Sequence, residues 1–170
     1  SPPKTVFVVH GEPESASVLA QCIREELNWK NRDVDAIVNG GGIATVKMQD
    51  LDDYHEWLLN RGYGVSVIDC CVPFVEVLSS IYILFRWQEQ FGYTPERGYV
   101  NLNALWDGFD FDIPRGEGHV LELVGIDQLW KSNPQWVVAL LEMAHDYSRI
   151  QMALGSRFFA LLVVEEISDM

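Results

Sequence analysis

Cationic side chains are scarce in this sequence. Its 170 residues hold 12 Lys and Arg against 25 Asp and Glu, a formal charge of −13. Direct binding of nucleic acid is not expected, because phosphate contacts are made by Lys and Arg; a basic protein partner suits such a field. The excess is uneven: residues 64–170 carry 15 acids and 6 bases, residues 1–63 carry 10 and 6. Apolar runs are short. None reaches the roughly 18–20 residues of a membrane span, and residues 1–10 lack the charged start and long apolar run of a signal peptide, so no membrane partner is expected. There are three cysteines, Cys22, Cys70 and Cys71. An odd number leaves one unpaired, and chain neighbours rarely bridge each other. Free thiols in a reducing cytoplasm follow, with Cys70-Cys71 buried at a strand end. The four histidines, His10, His55, His119 and His145, are too widely spaced for a metal cluster. Asn39-Gly40-Gly41-Gly42 lacks the Gly-Lys-Ser/Thr of a phosphate loop, and no Gly-x-Ser-x-Gly or Cys/His nucleophile pair occurs. The expectation is a protein that is not an enzyme and takes no cofactor and no metal.

What is present is a core. Hydrophobic residues make up 48% of the chain, enough for one folded domain with an extension. Thr5–Val9 and Asp35–Val38 read as strands, with an amphipathic helix from Ser15 to about Trp29 between them. A further helix runs from Asp50 or Asp52 through Leu59 and is closed by Asn60-Arg61-Gly62. Residues 1–63 thus form a βαβα segment. From 64 onward the order is β-α-α-β-α-β: strand Gly64–Asp69, helix Glu76–Gln90, a short helix within 98–109, and strand His119–Val124. A turn or short helix at Asp127–Lys131 leads to a long helix that begins with Pro134 and stops at Gly155. The closing strand, Phe158–Val164, is apolar almost throughout, as in a parallel sheet buried on both faces. The expected fold class is α/β: a three-stranded parallel sheet wrapped by helices over 64–170, preceded by the βαβα segment 1–63, which docks on that sheet or extends it.

Residues 98–109, Gly-Tyr-Val-Asn-Leu-Asn-Ala-Leu-Trp-Asp-Gly-Phe, are the most informative stretch. The spacing predicts a short helix with two unlike faces. Leu102, Leu105 and Phe109 recur at i, i+3 and i+7 as a core stripe. Asn103, Trp106, Asp107 and Asp110 share another face, where an aromatic stands among carboxylates. Gly108 is expected to end the helix in the left-handed conformation. Asp107 then lies in the last turn, where the helix dipole disfavours an anion by roughly 0.3–1 kcal/mol. A residue set against its local preference is a candidate for function. The plainer alternative is that Trp106 covers the core edge and Asp107 is merely solvated. Asp107, Asp110 and Asp112 alternate with apolar residues but lack the spacing and closing Glu of a calcium loop.

Phe91-Gly-Tyr-Thr-Pro95, Asn101-Leu-Asn-Ala-Leu-Trp-Asp107, Pro114, the strand His119–Leu123, the long helix and Phe158–Val164 occur in the order of one known family. Over about residues 64–168 the chain resembles the barstar-like family of intracellular ribonuclease inhibitors. The resemblance implies a barstar-like fold and a basic ribonuclease or toxin domain as partner, bound in the cytoplasm in the manner of an immunity protein. It also implies that the helix face occludes the nuclease active site, with Asp107 in a phosphate pocket and Trp106 beside it. Asn103 stands where the family carries an aspartate. Of the family's paired tyrosines only Tyr99 is available, and Asp110 and Asp112 supply further charge. The acids that the family presents from its long helix have no clear match near Met143–Tyr147.

A second, shorter resemblance lies at the other end. Thr5-Val-Phe-Val-Val-His-Gly-Glu-Pro13, within residues 3–29, is similar to a late motif of metallo-β-lactamase-fold nucleases, where the histidine binds a catalytic zinc; here that histidine is His10. One ligand does not make a catalytic zinc site, and no nuclease activity is expected. Two other functions remain open: an interaction or regulatory module that uses the barstar-like fold on a non-nuclease partner, and a small α/β enzyme with His10 and Glu12 at a strand end.

Overall fold

The computed structural model describes residues 42–93, 95, 96 and 101–165. The strands are β1 (Ile43–Lys47), β2 (Tyr63–Asp69), β3 (Gly118–Val124) and β4 (Arg157–Val164), and the helices are α1 (Leu51–Leu59), α2 (Phe74–Leu84), α3 (Trp87–Phe91), α4 (Leu102–Gly108), α5 (Ile126–Ser132) and α6 (Pro134–Leu154). The expected strands Thr5–Val9 and Asp35–Val38, the helix from Ser15, Cys22, His10 and Glu12 lie outside the described residues. All the described residues fall in one unit, residues 39–170.

The sheet has four parallel strands, in the order β1-β4-β3-β2, and not the expected three. The added strand is β1, whose Ile43 to Lys47 lie beside Ala160 to Val164 of β4. It follows the glycine run directly and is only five residues long, so the glycines masked it as a loop. Its place dictates where α1 goes. From β2 to β3 to β4 the chain steps one way across the sheet, with its helices on one face. From β1 to β2 it crosses the whole sheet in the opposite sense. Right-handed crossovers in both directions require opposite faces, and α1 accordingly is the helix on the second face among the described residues.

Two cores result. On the first face Ile68, Leu121, Leu123, Phe158 and Ala160 meet Val77, Leu78, Ile81, Leu105, Leu129, Leu140 and Met143 from the helices. On the second face Val46, Tyr63, Val120, Leu161 and Val163 meet Leu58, with Leu51, Tyr54 and Trp57 half-buried around it. Alternation along β3 and β4 divides their side chains between the two faces, which accounts for the apolar run of β4. Among the described residues one charge lies inside: Glu122 on the second face is 1% exposed, with its two carboxylate oxygens 3.2 and 3.3 Å from His55 Nδ1. A carboxylate only accepts, so Nδ1 carries the shared proton.

The helix expected over Glu76–Gln90 is two helices. Arg86 breaks it with a left-handed backbone, φ 48° and ψ 45°. In an unbroken helix residues two apart point about 200° from each other. The kink lets both Phe85 and Trp87 enter the core, at 1% and 2% exposure. α6 begins with Pro134 and stops at Gly155, φ +86°, as expected. Cys70 is buried, but Cys71 is exposed, contrary to the expectation for the pair; both are free thiols. Burial, and then the Asp69 carboxylate, push the Cys70 thiol up to about 12. No described helix is long and apolar enough to cross a membrane.

Candidate functional site

The capping of α4 is local. The Asn101 side-chain oxygen accepts from the Ala104 amide at 3.1 Å, and the Asn101 carbonyl accepts from Leu105 N–H at 2.9 Å. This N-cap satisfies backbone donors that the first turn otherwise leaves bare. The other end is held by packing. Gly108 is not left-handed, as the sequence suggested, but lies inside the last turn. A Cβ there would come within 2.9 Å of Phe91 Cε2, so the glycine is required for close approach. The Gln90 amide donates to Phe85 O at 2.8 Å and to Gly108 O at 3.3 Å, tying the end of α4 to the kink after α2.

The inner face of α4 is narrower than the predicted stripe. Leu105 and Phe109 are buried, but Leu102 is 42% exposed. In a seven-residue helix the first turn projects past the core edge, and Leu102 goes with it. The outer face therefore gains an apolar residue. It carries Leu102, Asn103, Asp107 and Trp106, the last 47% exposed. Asn103, Trp106 and Asp107 make no side-chain hydrogen bond or ion pair among the described residues.

Past α4 the chain alternates. Phe109 and Phe111 turn inward, into a ring cluster with Phe85, Tyr147 and Phe158 at centroid distances of 4.9–5.9 Å. Asp110 and Asp112 turn outward. The Tyr147 hydroxyl donates to Asp110 Oδ1 at 2.8 Å and accepts from Phe111 N–H at 3.0 Å. Asp110 Oδ1 also accepts from Asp112 N–H at 3.0 Å, and Asp112 takes a left-handed φ of 49°. Burial is the main cause that raises the Tyr147 phenol above its ordinary value, which keeps it a neutral donor. Asp110 is thus partly committed to shaping the loop, whereas Asp107 and Asp112 project without a partner among the described residues.

The structure brings Asn103, Trp106, Asp107, Asp110 and Asp112 into one continuous segment; Tyr99 lies outside the described residues. Sequence reasoning missed three supports: the Asn101 cap, the Gln90 tie and the Tyr147 anchor. Asn101 was legible as an Asn three residues before Ala104. Gln90 and Tyr147 act across the fold and leave no local sign. No group of three His, Cys, Asp or Glu placed to hold a metal ion occurs among the described residues.

One family model matches the chain: the Zn-dependent metallo-hydrolase RNA specificity domain, over residues 1–32. This match agrees with the metallo-β-lactamase-related resemblance of residues 3–29, and covers a small part of the chain. No curated protein and no solved structure matches.

Proposed function

We propose that this protein is an inhibitor of a ribonuclease, of the immunity or antitoxin kind, which occludes the nuclease active site with the outer face of α4 and the acidic loop after it. The observation that carries the reading is the exposed Trp106 next to an unpartnered Asp107, on a helix pinned at both ends. The resemblance of Asn101–Asp107 to the barstar-like motif supports it. A ribonuclease active site is a cationic cleft shaped for phosphate. The Asp107 carboxylate presents two acceptor oxygens in place of phosphate oxygens and draws charge-assisted hydrogen bonds from the cleft. Trp106 is the aromatic anchor beside it, and Leu102 extends the apolar contact. Asn103 contributes an amide where the family has an acid. Asp112 and Asp110 enlarge the negative field that speeds encounter with a basic protein. Tyr99 belongs to the same proposed surface. Of the long helix, Met143, Ala144 and Tyr147 are buried, while Glu142 is exposed and Asp146 half-buried beside them.

The test mixes the full chain with basic ribonucleases and follows RNA cleavage. Inhibition is expected, and Asp107→Ala is expected to weaken it by about 2–5 kcal/mol, the cost of truncating one partner of a buried charged contact. Equal inhibition by the variant would remove Asp107 from the mechanism. Capture of a non-nuclease by the same helix face would instead favour the regulatory-module reading. The match of residues 1–32 gives weight to the alternative of an enzyme that uses His10 and Glu12; a hydrolytic activity of the chain alone, abolished by His10→Ala, would establish it.

A further inference from the structure

We propose that the outer edge of β2 is a self-association surface, on which β2 of a second copy pairs antiparallel to form one continuous sheet. Among the described residues β2 stands at the end of the strand order and is hydrogen-bonded on one side only, to β3. The Cys70 amide donates to Val124 O across that ladder at 2.7 Å. Backbone groups alternate in direction along a strand, so Gly64, Ser66 and Ile68 also face β3. The N–H and C=O groups of Val65, Val67 and Asp69 then face outward. No strand pairs with that side among the described residues.

Natural sheets guard such an edge with a short strand, a lysine, a proline or a bulge. β2 has seven residues, Tyr-Gly-Val-Ser-Val-Ile-Asp, and carries none of these. The other edge, β1, is shorter and ends in Lys47. Val67 is 54% exposed, although it lies on the same face as the half-buried Val65.

The sequence of β2 favours its own copy over a foreign strand. Antiparallel pairing about Ser66 sets Val65 opposite Val67 of the second copy, and Val67 opposite its Val65. The outward-facing backbone groups then meet as hydrogen-bonded pairs. The two-fold operation also matches charge. The exposed Arg61, stacked 3.8 Å from the Trp57 ring centre, precedes the strand, and the exposed Asp69 ends it. Reversal places the Arg61 end of one copy beside the Asp69 end of the other. Such an interface closes on itself as a dimer.

Sedimentation of the full chain up to the high-micromolar range that a small interface requires tests this. A reversible monomer–dimer equilibrium is expected, together with amide exchange at Val65 and Val67 that slows as concentration rises. Val67→Lys changes an exposed position and is expected to leave the fold intact while weakening the dimer roughly tenfold, since it replaces two apolar cross-strand pairs. Arg61→Glu is expected to weaken it further. A chain that stays monomeric throughout the range overturns the proposal. So does a Val67→Lys dimer as tight as the parent's, which would place the interface elsewhere.

Discussion

Two carboxylates in this protein stand at opposite extremes. Glu122 lies in the second core, 1% exposed, with both oxygens facing His55. Asp107 lies on the surface of α4 without a partner among the described residues. The first has lost its water and is held by one imidazole, so it belongs to the architecture. The second keeps its hydration and spends nothing on the fold, so its charge remains available to another molecule. The contrast separates charge used in folding from charge that the fold leaves unused.

The sharpest way to break this contrast is to remove the partner of the buried acid. His55→Ala strands Glu122 without its described partner, and the expected loss in chemical denaturation is about 3 kcal/mol. The figure sits at the low end for broken buried pairs because the His55 side chain is 38% exposed and water can replace it. A smaller effect is expected from His119, whose Nε2 lies 2.9 Å from Ser66 Oγ. Burial lowers its pKa from 6.5. The folded state thus binds the proton less readily than the unfolded chain, and the stability this group contributes, present above pH 6.5, is lost as pH falls through the folded value. Thermal melts from pH 7.5 downward are expected to show that decline, and His119→Phe to flatten it. The smallest effect on the fold belongs to Asp107→Asn, which is expected to shift stability by no more than about 0.5 kcal/mol, as for an unpartnered surface residue. A large loss there would make Asp107 structural and erase the contrast.

The sequence exposed some of this arrangement and hid the rest for identifiable reasons. The Trp106 and Asp107 face was legible because a hydrophobic core does not call for an aromatic among acids. Leu102 was misassigned because periodicity shows which side a residue faces, and not how far the core extends beneath it. Gly108 looks like a left-handed helix stop in the sequence because its partner, Phe91, is remote in the chain. The strands 64–69, 119–124 and 158–164 were legible from their apolar runs; β1 was not, because five residues behind three glycines look like a loop. The break at Arg86 was invisible locally: it is driven by the burial of both Phe85 and Trp87.

The alternation after α4 has an evolutionary consequence. Phe109 and Phe111 are constrained by the ring cluster they fill, while Asp107 and Asp112 are constrained by nothing within the described part of the molecule. Selection can therefore rewrite the outward positions one at a time, exchanging charge for size or polarity, while the inward ones stay fixed. A lineage built on this segment can change its surface chemistry without first having to rebuild its fold.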